Sequence, residues 1–320
     1  MDLYGFLDPI MFVSRLFGLT PIIVVEDKNT GYRKYKLSNY WIIYSVSFIS
    51  LFTVFQIVSI CTCEVLTEEK VMRNSFEFVS LTNLIFSDTI AISSLFFSKD
   101  LVQIASKLSL INSNFCNTNL TVNSRLLKKF ISYFSVLIVV SLLFGTLIFL
   151  SNFSHFVYTN VFFSISISVD ITLMILPYLQ FILFITELKD NFRVINYNLS
   201  NVNSKSLGFI NHSRNLPPKS CSRVKLLSSA HNTLVEVART LNRAYSVQLL
   251  VSMLISLIQL VFCSYTILRI VVYLGATVLR ILEMSILMVW VALFLIKLTV
   301  LSWMCNQTTS EVSQTNLLSK

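Results

Sequence analysis

Residues 40–61 read YWIIYSVSFISLFTVFQIVSIC, 22 residues without a charge. A helix needs about 20 mostly apolar residues to cross the hydrocarbon core of a bilayer. Five further stretches meet this requirement, and they cover residues 76–97, 130–150, 157–185, 246–268 and 282–304. The sequence therefore predicts an all-α, polytopic membrane helical bundle with six spans.

The composition of the whole chain agrees with this prediction. Of its 320 residues, 54% are hydrophobic and only 13% are charged, and the mean hydropathy is +0.71. A soluble globular protein carries about 25% charged residues. The net charge of +9 does not indicate nucleic-acid binding, because the basic residues lie between long apolar runs instead of forming one patch. We therefore expect a lipid bilayer, and no nucleic acid, as a partner.

The Lys and Arg residues are unevenly distributed among the connections. The amino-terminal segment and every second connection after it hold 20 of the 25, the other connections hold four, and Lys297 lies within a span. Positively charged loops remain in the cytoplasm. We therefore predict a cytoplasmic amino terminus and a cytoplasmic Lys320. This orientation excludes a G-protein-coupled receptor, whose amino terminus is outside.

These boundaries divide the chain into five segments: a cytoplasmic amino-terminal segment, spans one to four, a cytoplasmic loop with an elongated helix, spans five and six, and a cytoplasmic tail. The segments cover residues 1–39, 40–185, 186–245, 246–304 and 305–320. Within the first, residues 6–19 predict a short interfacial or packed helix. Within the third, residues 198–222 are rich in Ser and Asn, which is typical of a mobile loop.

An apolar stripe precedes the fifth span. It recurs at steps of three and four residues and consists of Leu227, Ala230, Leu234, Val237, Leu241 and Tyr245. This spacing predicts one helix that continues from Arg223 into the fifth span. The stripe fits either a surface helix packed on the neighbouring loop or a helix that contacts another subunit.

Motifs of catalysis are missing from the sequence. There is no Gly-rich phosphate loop, no Gly-x-Ser-x-Gly motif and no pair of His residues at helical spacing. The six Cys residues are scattered over both sides and the spans, which favours free thiols over a disulfide. We therefore expect neither enzymatic activity nor a cofactor or metal.

Ionisable residues inside spans are costly, and they usually face a bundle interior or a wet cavity. For Lys297, near the inner end of the sixth span, we expect the side chain to reach the cytoplasmic surface. Asp88 and Asp170 fit either a structural contact between helices or a cavity open to the outside. In the second interpretation the ligand-binding residues are Asp88, Asp170, Gln259, Tyr265, Glu283 and Trp290.

Three local motifs occur in a characteristic order along the chain. They are Phe17-Gly18-Leu19-Thr20-Pro21, then His231-x-x-Leu234 with Leu241-Asn242-x-x-Tyr245-x-x-Gln248-Leu249, and finally Cys305, Thr308 or Thr309, Glu311 and Leu317-Leu318. Together they resemble motifs of the insect gustatory receptors, which are related to the insect odorant receptors.

This resemblance implies a ligand-gated cation channel in the plasma membrane. Members have seven spans, a cytoplasmic amino terminus, an outward-facing pocket for a small tastant and a homo- or hetero-tetrameric assembly. The present sequence stops at Lys320, before the seventh span that lines the pore, so we expect a truncated chain that does not conduct alone. The alternative is a small-solute transporter that uses the intramembrane carboxylates, although no inverted repeat is evident.

The orientation can be tested with engineered glycosylation sites. The charge distribution predicts that a glycosylation site placed within residues 202–213 stays unmodified, because the enzyme acts only on the outer side. The loop that contains Asn152 should be accessible to modification. Gel mobility with and without glycosidase measures both. Modification within residues 202–213, with none in the outer loops, would contradict the predicted orientation.

Overall fold

The computed structural model describes residues 4–26, 33–62, 70–115, 157–209, 218–269, 271–272 and 278–318. Two short strands and seven helices occupy this part of the chain. In chain order they are α1 (Tyr4–Leu16), β1 (Ile22–Glu26), β2 (Arg33–Leu37), α2 (Asn39–Thr62), α3 (Lys70–Phe96), α4 (Ser98–Phe115), α5 (Val157–Phe209), α6 (Pro218–Arg269) and α7 (Val278–Leu318).

The helical membrane bundle predicted from the sequence is confirmed. Four of the described helices are long and apolar enough to cross a membrane, namely α2, α5, α6 and α7. Helices α3 and α4 together pass the same test as a fifth, with a bend of 56° between them. The predicted span at residues 130–150 lies outside the described residues.

Helices α5, α6 and α7 are much longer than a bilayer requires. They contain 53, 52 and 41 residues. At a rise of about 1.5 Å per residue they measure about 80, 78 and 60 Å, against about 30 Å of hydrocarbon. Their surplus lengths pack with α4 into a second bundle, which we call the extension (α4 with residues 186–200, 225–245 and 305–313).

The apolar stripe of α6 is buried in the extension. Leu227, Leu234, Val237 and Leu241 join one hydrophobic core with residues of α4, α5 and α7, and each is at most 4% exposed. The predicted continuous helix is therefore confirmed, and the stripe packs on helices of its own chain. A contact with another subunit would have to use a different face of α6.

The mobile loop predicted at residues 198–222 is wrong for most of its length. Helix α5 continues to Phe209, and α6 begins at Pro218. Polar side chains are accommodated here because they bond to their own helix: Asn198 donates to the carbonyl of Val194 and Ser200 to that of Tyr197, both at 2.9 Å. Residues 210–217 lie outside the described part of the chain.

The amino-terminal segment contains the predicted short helix, α1, and a β-hairpin that the sequence analysis missed. Strands β1 and β2 pair antiparallel, with Val24 opposite Tyr35. The β-branched run of β1 explains its extended conformation. The all-α prediction therefore holds for the described chain except for these ten residues.

Helix α1 ends with a tight turn against α2. Gly18 has φ +69°, and Leu19 N donates to the Ser14 carbonyl at 2.8 Å, as in a Schellman C-cap. A Cβ at Gly18 would lie 3.2 Å from Ser45 Cα and 3.3 Å from the ring of Phe48. Glycine is therefore required both by the backbone conformation and by the close approach of α2.

Glu311 connects α7 to α5 in the extension. Its Oε1 accepts hydrogen bonds from Arg193 Nε and Nη2 at 3.2 and 3.0 Å, and its Oε2 accepts one from Asn196 at 3.3 Å. We predict that Glu311→Ala lowers the free energy of unfolding by about 2 kcal/mol, since a charged hydrogen bond contributes about 1.5–3 kcal/mol. Thermal unfolding of the purified protein measures this loss.

Glu236→Ala is the matched control. Glu236 also pairs with a cation, Lys107 at 2.7 Å, but its side chain is 58% exposed. Exposed ion pairs contribute about 0–1 kcal/mol, so this variant should unfold close to the wild-type temperature. Equal destabilisation by the two substitutions would show that Glu311 does not contribute more than a surface pair.

Candidate functional site

A group of polar side chains joins α2, α3 and α5 within the apolar bundle. We call Thr53, Gln56, Ser87, Asp88 and Asp170 the carboxylate cluster. Thr53 Oγ1 lies 2.9 and 3.1 Å from the two carboxylate oxygens of Asp88. Gln56 Nε2 donates to Asp170 Oδ1 and lies 3.5 Å from Ser87 Oγ. Each carboxylate therefore has a hydrogen-bond donor from α2.

Helical spacing explains how these residues meet. Thr53 and Gln56 are three residues apart on α2 and so share one face. Ser87 and Asp88 are adjacent on α3, and Asp170 of α5 contacts Gln56 of α2 and Ser87 of α3. Asp170 is 5% exposed and Gln56 is 1% exposed, whereas Asp88 is partly exposed. Gln56, Ser87 and Asp170 are therefore buried, and Asp88 is partly exposed.

A second polar contact lies one turn along α3. Gln259 of α6 donates from Nε2 to Asn83 Oδ1 at 3.3 Å. Asn83 precedes Ser87 by four residues, so it lies on the same face of α3 as the carboxylate cluster. Three of the six predicted ligand-binding residues therefore meet at α3, which we call the polar strip: Asp88 lies on α3, Asp170 of α5 contacts Ser87, and Gln259 of α6 contacts Asn83.

The other three predicted residues are not brought to this strip by any described contact. Tyr265 lies on α6 with its side chain 45% exposed. Glu283 and Trp290 belong to α7, and their side chains lie outside the described part of the structure. Their role in ligand binding stays a prediction.

Lys297 does not reach the surface as the sequence analysis expected. Its side chain is buried, and Nζ donates to Ser252 Oγ at 2.5 Å and to Ser256 Oγ at 3.2 Å. Nζ also lies 5.5 Å from the centre of the Tyr178 ring. The expectation failed because two hydroxyls one turn apart on α6 and an aromatic face on α5 together bind the ammonium group inside the bundle. We call Tyr178, Ser252, Ser256 and Lys297 the lysine cluster.

The sequence analysis missed the neutral members of both clusters. Their signal was polar residues at helical spacing within apolar runs: Thr53 with Gln56, Asn83 with Ser87, and Ser252 with Ser256. Interhelical hydrogen bonds in membrane proteins commonly use such side chains. Spacing alone does not reveal their partners, because each partner lies on a helix distant in sequence.

Long apolar helices with buried polar contacts define a polytopic helical membrane protein. A sequence model of the family described as 7tm Chemosensory receptor matches residues 7–320, nearly the whole chain. The chain belongs to this chemosensory receptor family, which confirms the resemblance predicted from the sequence. A search of curated proteins gives no significant match.

The lysine cluster yields a prediction for a double-mutant cycle. Ser252→Ala removes the acceptor nearest to Lys297 Nζ and should lower the free energy of unfolding by about 1–2 kcal/mol. Lys297→Met removes the charge and fills the same space, so it should be nearly neutral, and the double variant should be no less stable than Lys297→Met. Thermal unfolding of the four proteins in detergent measures the coupling.

Ser246→Ala is the control, because Ser246 is exposed on the same helix and its hydrogen bond within the described chain is to the Arg243 carbonyl of its own helix. It should have little effect. Additive losses for Ser252→Ala and Lys297→Met would contradict the assigned contact.

Proposed function

We propose that this protein is a gustatory-type chemosensory receptor that serves as a subunit of a ligand-gated cation channel in the plasma membrane. The observation that carries the proposal is the family match across residues 7–320. The assembly that we propose is a tetramer of this chain alone or with other family members. The family match offers no support for the transporter alternative.

The proposed tastant is a small polar molecule that enters the bundle from the outer side. Support comes from the polar strip formed by Asn83, Asp88, Asp170 and Gln259 on three packed helices. Ligand sites are mostly apolar cavities with a few well-placed polar groups. Carboxylates and amides together suit a ligand with hydroxyl or amine groups. We extend the proposed site to Tyr265, Glu283 and Trp290.

The proposed orientation places the extension in the cytoplasm. The excess of Lys and Arg in the connections predicted to lie inside supports it. The carboxylate cluster would then lie nearer the outer side than the lysine cluster, because Asp170 precedes Tyr178 on α5, and the extension follows both. In this orientation α3 runs inward from Lys70, so a tastant from outside would reach the Asn83–Gln259 contact before Asp88.

Substitution of Asp170 tests the proposed site. With this chain co-expressed in cells with other family members, and with those members alone as the reference, an active ligand among sugars, bitter compounds and carbon dioxide is first identified by the evoked current. Asp170→Asn should then raise the half-maximal concentration about tenfold or more, since losing a charged hydrogen bond costs about 1.5–3 kcal/mol. Surface labelling should remain at the wild-type level.

Asp100→Asn is the matched control for this substitution. Asp100 is also a hydrogen-bonded carboxylate, but it pairs with Arg243 in the extension at 2.9 Å. Its replacement should leave the dose-response unchanged. The site assignment fails if single substitutions at Asp88, Asp170, Gln259, Tyr265, Glu283 and Trp290 all leave the dose-response as in the wild type while the protein reaches the surface.

A further inference from the structure

The carboxylate cluster contains a buried negative charge with no cation beside it. Asp170 is 5% exposed, and no Lys, Arg or His side chain forms a salt bridge with it among the residues that the structure describes. Its described hydrogen-bond partners are Gln56 and Ser87, both neutral. A buried carboxylate normally requires a compensating charge, because water no longer stabilises it.

An unused oxygen lies next to this carboxylate. Gln56 Oε1 is buried and has no hydrogen-bond partner within the described part of the chain. It belongs to the carboxamide whose Nε2 contacts Asp170 and Ser87. A half-turn of the carboxamide exchanges its nitrogen and oxygen, so the side chain can point either a donor or an acceptor at Asp170. An acceptor that faces a carboxylate is stable only if a cation or a proton lies between them.

We propose that the carboxylate cluster binds one sodium ion between Asp170, the carbonyl oxygen of Gln56 and the hydroxyl of Ser87, with Asp88 at the mouth of the site. The donors are all oxygen atoms, which suit a hard cation and not a thiolate- or imidazole-binding metal. One deeply buried charge matches a monovalent ion. The charge of Asp88 is already stabilised by Thr53 and by its partial exposure.

The mouth of the site defines the path of the ion. Asp88 is more exposed than Asp170, and the residue before it, Ser87, is fully buried. An ion attracted by Asp88 would pass Ser87 to reach Asp170. The bound ion would connect α2, α3 and α5 more tightly than the single amide contact. Sodium should therefore stabilise the folded receptor even without a tastant, so this proposal does not rest on the proposed function.

Thermal unfolding of the purified receptor in detergent tests the site. Sodium chloride replaces choline chloride stepwise at constant ionic strength and without tastant. We expect a saturable rise of about 2–4 °C in the unfolding temperature, because a ligand that binds only the folded state stabilises it. Asp170→Asn should abolish the rise, and the control Asp100→Asn should retain it.

Two substitutions of Gln56 separate the role of its oxygen from that of its nitrogen. Gln56→Glu keeps oxygen ligands and loses the donor, so it should retain the response to sodium. Gln56→Met loses both and should not respond. Binding of radiolabelled sodium to the wild type and to Asp170→Asn provides a measurement that does not depend on how stable each variant is.

Three results would overturn the proposal. The first is an unfolding temperature that is equal in sodium and choline together with no retained radiolabel. The second is a sodium response that Asp170→Asn preserves. The third is stabilisation of the wild type by acidification with no effect of sodium, which would show that a proton neutralises Asp170. None of these outcomes depends on a current or on a tastant, so they leave the proposed receptor function to its own test.

Discussion

The need to satisfy polar side chains inside an apolar bundle organises this structure around α5. Three residues of this helix contact four different neighbouring helices through polar groups. Asp170 accepts from Gln56 of α2, and Tyr178 donates to the Lys297 carbonyl of α7 at 2.6 Å. Gln180 donates to Ser14 of α1 at 2.7 Å and accepts from Tyr245 of α6 at 3.1 Å. Because a buried polar group without a partner is costly, each contact favours one arrangement of the helices over alternatives that are equally apolar.

The helical spans were predictable because a bilayer leaves few alternatives. An uncharged run such as residues 40–61 has to satisfy its backbone internally, and a helix does this within one segment. The contacts between helices were not predictable in the same way. Lys297 was expected to extend to the surface, a choice that depends on the neighbouring Ser252 and Ser256 of α6. Asp88 and Asp170 were recognised from their charge, but Gln56 was not, because a neutral amide gives no comparable signal in a sequence.

One motif that supported the family resemblance has a clear structural reason. In Gly18-Leu19-Thr20-Pro21, Gly18 adopts the left-handed conformation that ends α1, and Leu19 is completely buried. The carbonyl of Pro21 accepts from Ser38 N at 3.0 Å, just before α2 begins. The motif therefore turns the chain between α1 and β1 and fixes α1 against α2. The hairpin that follows was missed because the apolar run after Pro21 is only a few residues long and follows a predicted helix.

The described charged side chains have different partners in the extension and in the apolar bundle. In the extension, Arg193, Arg243 and Lys107 each pair with a carboxylate on another helix. In the apolar bundle, Asp170 and Lys297 contact neutral groups. Tyr178, which contacts Lys297, lies eight residues after Asp170, a rise of about 12 Å along α5, and the described contacts do not pair the two charges. Direct pairing, or replacement of both by apolar residues, would avoid the cost of burying them separately. Because Asp170 and Lys297 do not pair with each other, each can still interact with a further charged or polar group. Charged residues within a membrane usually serve function more than stability.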